Sequence, residues 1–153
     1  MEFKWHVLFG FIISCILVYF FEFSLLAGFV IFVASWMIDI DHYLWYAFET
    51  KDWNPIHAIR WYIQKVPKWF SLSFEERGKF KRGVFVFHSL FFWIILALLS
   101  FANVFFFWIL IGIFIHMIAD LIELKVMREK LYTKIFLCYV IRKNKNKRRL
   151  IEL

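Results

Sequence analysis

The chain has 153 residues, of which 63% are hydrophobic and 24% aromatic, whereas a soluble domain is roughly 45–50% apolar. This composition excludes an ordinary soluble domain and indicates one compact helical unit in a membrane. The formal net charge of +7 is spread unevenly along the chain, and its distribution bears on orientation.

Apolar segments of near-membrane length come in two pairs along the chain. They are residues 5–21, 23–38, 84–101 and 102–118. Each is near the short end of the ~20 residues that cross a bilayer, and only helices satisfy their own backbone groups in lipid. Ser24 and Asn103 would cap the second helix of each pair. We predict an all-α polytopic membrane protein with four transmembrane helices, arranged as two tight hairpins, plus interfacial amphipathic helices.

The first apolar segment has Lys4 before it, as a signal peptide would. It is long for such a peptide and ends in Tyr19-Phe20-Phe21-Glu22 rather than in small residues. We therefore interpret it as a retained transmembrane helix.

The basic residues predict the orientation of these helices. Lys4 precedes the first helix, eight Lys or Arg residues lie in segment 43–83, ten follow residue 118, and neither hairpin tip contains one. Positively charged segments remain in the cytoplasm. We expect a multi-pass protein of the cell (inner) membrane with both termini cytoplasmic.

The segment between the two hairpins has an amphipathic pattern. Asn54-Pro55 is typical of a helix start, with proline at the first helical position. Apolar residues then alternate with Arg60 and Lys65, and we expect Pro67 to end the helix. Such a helix suits the membrane interface.

The chain divides into a four-helix transmembrane metal-site domain, residues 1–122, and a basic tail, residues 123–153. We expect residues 131–141 to form a surface helix, because they are too few to cross a bilayer. The basic cluster 142–149 either contacts anionic lipid headgroups or is a solvated topogenic segment. Membrane lipids are the expected partners and nucleic acid is not, while the sequence names no protein partner.

Seven ionisable side chains are predicted to meet at the cytoplasmic end of the four helices. They are His6, Asp39, Asp41, His42, His88, His116 and Asp120. Asp39 and His42 are three residues apart and His116 and Asp120 four, so each pair shares a helix face. Ionisable groups at membrane depth are costly and indicate function.

Imidazoles and carboxylates without a thiolate suit a divalent metal such as Zn, Mn or Fe(II). Seven candidates exceed the ligands of one catalytic ion, which leaves two ions or one ion with orienting carboxylates. We expect the histidines to be ligands, Asp39 and Asp120 to be ligands or bridges, and Asp41 to be a ligand or the general base. Hydrolysis is the chemistry this permits, and the interfacial depth favours a lipid-linked or membrane-associated phosphate ester. The alternative is a non-enzymatic metal-binding membrane protein for transport, sensing or scaffolding.

The order of these motifs resembles the predicted membrane-bound metal-dependent hydrolases, a family of small prokaryotic inner-membrane proteins. The resemblance covers roughly residues 5–122. The matching residues are His6, Asp39-Ile40-Asp41-His42, His88-Ser89 and the His-x-x-x-Asp of His116 and Asp120. It implies a metal-dependent hydrolase with these residues at its site.

The sequence departs from this family before the third helix. A His-Arg-Gly-x-Thr-His-Ser run is common there, whereas residues 81–89 read Lys-Arg-Gly-Val-Phe-Val-Phe-His-Ser. The first histidine is absent and Phe87 stands in place of the threonine. The resemblance therefore implies one ligand fewer than the family's pattern.

Overall fold

The computed structural model describes residues 3–126, 129–130 and 132–150. Within these ranges the chain forms helices and no strand, which confirms the predicted all-α class. The helices are α1 (Phe3–Phe20), α2 (Leu25–Met37), α3 (Ile40–Thr50), α4 (Pro55–Ser71), α5 (Phe74–Arg77), α6 (Leu90–Ser100), α7 (Val104–Val126), α8 (Tyr132–Ile135) and α9 (Leu137–Lys143).

In the described part of the chain, two helices are long and apolar enough to cross a membrane. One is the stretch Leu25–Thr50, in which α2 continues into α3 through a turn at Ile38 and Asp39, and the other is α7. The remaining apolar helices, α1 and α6, are shorter. At 1.5 Å per residue, the 11 residues of α6 cover only about 17 Å of the roughly 30 Å hydrocarbon core. Two of the four predicted spans therefore have the required length.

Helix α6 is short because the backbone amides of two residues before it form hydrogen bonds outside the helix. The backbone N–H groups of Phe87 and His88 donate to the Asp41 carboxylate. The helix begins only after Ser89, whose hydroxyl accepts from the amide of Phe92 at 3.3 Å. The prediction of a helix from residue 84 is therefore wrong for residues 84–89, because a distant carboxylate satisfies donors that a helix would otherwise use.

Helices α2 and α7 form the centre of the bundle, with α1 packed on α2 and α6 packed on α7. The two central helices approach each other closely at Gly112, where a Cβ would collide with the backbone carbonyl of Ile31. Small residues allow such close approach between apolar helices. Around this contact Ile113 and Met117 are buried in the core.

The predicted helix starts are confirmed. The Ser24 side chain accepts from the amide of Ala27 at 3.1 Å, and the Asn103 side chain accepts from the amide of Phe105 at 2.8 Å. Four residues, 21–24, join α1 to α2, and three residues, 101–103, join α6 to α7. Each connected pair packs side by side.

Helix α4 begins where the sequence predicted but ends later. Asn54 caps it and Pro55 is its first residue. The predicted end at Pro67 is wrong, since the helix continues through this proline to Ser71. Pro67 has no N–H group to donate to the carbonyl of Ile63, four residues earlier. Ile63 lies on an exposed part of the helix, so the helix can continue without this hydrogen bond.

The basic tail folds back onto the rest of the chain. The predicted helix 131–141 is in fact two short helices, α8 and α9, interrupted at Phe136, whose backbone is non-helical; residue 131 lies outside the described residues. The Glu129 carboxylate accepts from Arg77 at 3.0 Å and from Arg82 at 2.7 Å. These contacts attach the tail to the segment between the two hairpins.

Candidate metal centre

The predicted site residues lie together at one end of the bundle. Among the described residues, four overlapping groups have ligand atoms within 4.8 Å of one another. They are His6–Asp39–His116, Asp39–His42–His88, His88–His116–Asp120 and His6–Asp120–Glu123. His6, Asp39, His88, His116 and Asp120 each belong to two of these groups, so the groups form one connected cluster. These clusters could hold a metal ion.

Two histidines form the centre of the cluster. The Nε2 atoms of His88 and His116 lie 3.3 Å apart. Nδ1 of His116 is 2.8 Å from the carbonyl oxygen of Ser35, and Nδ1 of His88 is 3.2 Å from Oδ2 of Asp41. A carbonyl and a carboxylate oxygen both accept, so the neutral form of each ring would carry its hydrogen on Nδ1 and a lone pair on Nε2. In that form the two lone pairs face each other.

Two carboxylates complete this centre. Oδ2 of Asp120 lies 3.5 Å from the Nε2 atoms of both His88 and His116. Oδ1 of Asp39 lies 3.5 Å from Nε2 of His116 and 3.9 Å from Nε2 of His88. Lone pairs of both carboxylates converge on the two imidazoles, an arrangement that a metal cation would balance beside the Lys134 ammonium, which already donates to Oδ2 of Asp120 at 2.6 Å. Two imidazole nitrogens and two carboxylate oxygens are a donor set that fits Zn, Mn or Fe(II).

His6 extends the cluster on one side. Its ring stacks on that of His116, with centroids 4.1 Å apart, and its Nε2 lies 3.7 Å from Oδ1 of Asp120. Its Nδ1 is buried and has no hydrogen-bond partner among the described residues. Buried polar atoms of this kind are uncommon, and His6 together with Asp120 and Glu123 forms one of the four candidate groups.

The cluster is more exposed at Asp39 and His42 than at its centre. The side chains of His88, His116 and Asp120 are at most 1% exposed, whereas those of Asp39 and His42 are 19% and 29% exposed. Solvent therefore reaches the cluster at Asp39 and His42.

Tyr62 of α4 closes over part of this more exposed side. Its hydroxyl donates to the backbone carbonyl of His42 at 2.8 Å. Burial and the nearby Asp39 carboxylate raise the pKa of Tyr62. It therefore remains a neutral phenol, able to act as a hydrogen-bond donor at the rim of the site.

Local structure explains why these side chains converge. The close approach at Gly112 lies one helical turn before His116 and brings that ring within reach of Ser35 on α2. Asp120 follows His116 by four residues on the same face of α7, as the spacing predicted. Asp39 sits in the turn where α2 ends, and its Oδ1 is 3.6 Å from Nε2 of His42.

Asp41 occupies a different position from the other six residues. It belongs to none of the ligand groups found among the described residues. Its carboxylate accepts from the backbone amides of Phe87 and His88 and contacts Nδ1 of the His88 ring. A carboxylate on the far nitrogen of a ligating histidine fixes the tautomer and the ring orientation. This geometry favours an orienting role for Asp41 over that of ligand or base.

Sequence reasoning missed three contributors to the cluster: the carbonyl of Ser35, Glu123 and Lys134. The Lys134 ammonium donates to Oδ2 of Asp120 at 2.6 Å. Glu123 had a detectable signal, because it follows Asp120 by three residues and shares its helix face. A backbone carbonyl and a lysine of the tail carry no such local signal.

No family model matches this chain, and neither a curated protein nor a solved structure matches it. The resemblance to the membrane-bound metal-dependent hydrolases stays a prediction from the order of its motifs.

Proposed function

We propose that the protein is a metal-dependent hydrolase at the cytoplasmic face of the cell membrane, acting on a lipid-linked or otherwise membrane-associated phosphate ester. The observation that carries this proposal is the convergence of two imidazole Nε2 atoms 3.3 Å apart with two carboxylates, each 3.5–3.9 Å from these nitrogens, in a cluster that is partly exposed at Asp39 and His42. The order of motifs shared with the predicted membrane-bound metal-dependent hydrolases supports the same reaction class.

In the proposed arrangement, α1, α2, α6 and α7 cross the membrane as two hairpins, with both chain termini cytoplasmic. The hairpin tips support this, because Leu25 is 81% exposed and Phe101 89% exposed, and lipid suits such side chains better than water. Neither hairpin tip contains a lysine or arginine in the sequence, which agrees with the positive-inside rule. The non-helical residues 84–89 complete the short third span, because such backbone is tolerated at membrane depth when protein covers it.

An apolar groove supports a substrate with a hydrocarbon chain. The groove has a volume of about 380 Å³, and apolar side chains of α2, α6 and α7 contribute to its lining. The lining includes Ile38, Ile40 and Phe87, the direct neighbours in sequence of Asp39 and His88. An acyl or polyprenyl chain in this groove would leave its phosphate beside the metal centre.

The residues divide the chemistry among them. A divalent metal held by His88, His116, Asp39 and Asp120 would activate water and polarise the phosphoryl group. Asp41 would keep the lone pair of His88 directed into the cluster. Lys134, whose ammonium already contacts Asp120, would offer its positive charge to the phosphate of the substrate.

Phosphate release from a long-chain lipid phosphate monoester in mixed micelles tests this function. The full-length protein is assayed with added Zn, Mn or Fe(II), beside His116→Ala and a control, His57→Ala. His57 is 52% exposed and pairs with Asp52 outside the cluster. We expect metal-dependent release that is lost in His116→Ala and kept in His57→Ala. Stoichiometric metal binding with no release from any phosphate ester would contradict the hydrolase function.

One observation favours the second candidate, a non-enzymatic metal-binding protein. The Lys134 ammonium lies beside the Asp120 carboxylate. In a scaffold or sensor, this ammonium could balance the negative charge of Asp120 after the metal leaves. A structural metal predicts retained metal without turnover and a lower melting temperature after chelation. Transport predicts ionisable side chains that continue towards the bilayer midplane, whereas the cluster lies at one end of the bundle.

A further inference from the structure

A second group of charged residues lies outside the metal centre, between α5 and the tail. A cavity of about 130 Å³ is lined there by four cations, Arg82, Lys130, Lys143 and Lys147. Tyr132 and Tyr139 contribute to the same wall, and no carboxylate lines the cavity among the described residues. None of these residues belongs to the candidate metal groups.

The fold actively holds the two basic segments together. The amide of Lys81 donates to the carbonyl of Arg148 at 2.8 Å, and the amide of Arg148 donates to the carbonyl of Lys79 at 3.0 Å. Asn144 makes a reciprocal pair with the backbone of Arg82, accepting from its amide at 2.9 Å and donating to its carbonyl at 2.8 Å. These four hydrogen bonds oppose the repulsion between the cations.

Among the described residues that line this cavity, four are basic and none is acidic. Glu129 is bonded to Arg82 and also to Arg77, so this carboxylate offsets one charge of the two arginines. Aromatic rings lie near two of the three lysines, with Lys143 Nζ 5.6 Å from the Tyr139 ring centroid and Lys130 Nζ 4.8 Å from that of Phe74. Burial and the neighbouring cations Arg82 and Lys143 lower the pKa of Lys147, as expected where like charges crowd.

We propose that this cavity binds the phosphate group of an anionic ligand, at a site separate from the metal centre. A compact dianion offers its oxygens to several lysines and an arginine at once. The small volume suits a single phosphate group better than a nucleotide or an acidic peptide. The group could belong to a phospholipid headgroup or to a free phosphate, because both present the same oxygens.

Titration calorimetry of the full-length protein in a neutral detergent tests this site. The probes are inorganic phosphate and a short-chain phosphatidic acid, with short-chain phosphatidylcholine as the neutral lipid. The double variant Lys143→Gln/Lys147→Gln alters the cavity. The pair Lys125→Gln/Lys145→Gln removes the same charge from residues that do not line it. Thermal unfolding verifies that both variants fold.

We expect phosphatidic acid to bind and the cavity variant to weaken that binding about tenfold, the loss of one or two charge-assisted contacts, while the control pair leaves it unchanged. Binding of inorganic phosphate as well would identify the phosphate alone as sufficient, and binding of phosphatidic acid alone would assign the site to a lipid headgroup. Failure of both probes, or equal weakening by the two variants, would overturn the proposal. Because none of the four substituted lysines contacts the metal cluster, this outcome is independent of the hydrolase activity.

Discussion

Replacing Asp41 with Asn tests whether this residue orients His88 or acts directly in the metal centre. The carboxylate accepts from two backbone amides and contacts Nδ1 of His88. All three contacts end on one oxygen, Oδ2, so an asparagine could keep an acceptor there but would lose the negative charge that strengthens these hydrogen bonds. The hydrogen of His88 is then held less strongly on Nδ1, and its shift to Nε2 removes the lone pair that faces His116.

Asp41→Asn removes a carboxylate that supports the proposed ligand His88, and it leaves the ligand itself in place. Such losses weaken metal affinity roughly 10–100-fold, which corresponds to about 1.4–2.8 kcal/mol. Competition with a chromophoric chelator measures this affinity on detergent-purified protein. Asp52→Asn is the matched control, because it makes the same chemical change at a carboxylate bonded to Tyr46, Asn54 and His57 outside the cluster.

Two results would refute this reasoning. Unchanged metal affinity in Asp41→Asn would show that His88 does not depend on this carboxylate. Full metal content with complete loss of hydrolysis would assign Asp41 the role of general base. Thermal unfolding accompanies each assay, because a buried amide left without an acceptor costs about 1–3 kcal/mol.

Three further predictions follow from single contacts. Gly112→Leu should lower the melting temperature and release metal, because overpacking at the α2–α7 contact costs about 1–3 kcal/mol and moves His116; unchanged melting would contradict this close approach. Lys134→Met should raise metal affinity about tenfold in chelator competition, because its ammonium and the metal compete for Asp120; weaker binding would contradict this. Hydrogen bonds to Asp52, chiefly from a backbone amide, lower its pKa, so its stabilisation is present above pH ~4 and lost as the pH falls further. Melting curves of wild type and Asp52→Asn should differ at neutral pH and converge in acid; a constant difference would contradict this.

The parts of the site that the sequence predicted depend on spacing within one helix. His116 and Asp120 are four residues apart on α7, and their contact follows from helical geometry alone. The capping roles of Ser24 and Asn103 were also predictable from the sequence, because each side chain accepts a hydrogen bond from an amide two or three residues later. Apolar composition also predicted the all-α class.

The remaining features depend on partners that are far apart in sequence. The start of α6 and the position of Asp41 are two consequences of one contact between residues separated by 46 positions. A continuous apolar pattern through residues 84–89 cannot reveal that a carboxylate takes up two of its amides. Lys134 reaches Asp120 only because the tail folds back onto the bundle, which a basic composition does not distinguish from a solvated segment. Local patterns therefore predicted helices and shared helix faces, while long-range hydrogen bonds determined where α6 begins and which groups Asp41 and Asp120 contact.

The central claim is that His88, His116 and the surrounding carboxylates hold a divalent metal. Elemental analysis of the detergent-purified protein tests it most directly, with His116→Ala beside the exposed control His57→Ala. We predict about one or two equivalents of Zn, Mn or Fe in the wild type, lost in His116→Ala and retained in His57→Ala. Absence of bound metal, even after reconstitution with each ion, would contradict the account and leave the cluster as a buried polar network in which a proton bridges the two rings.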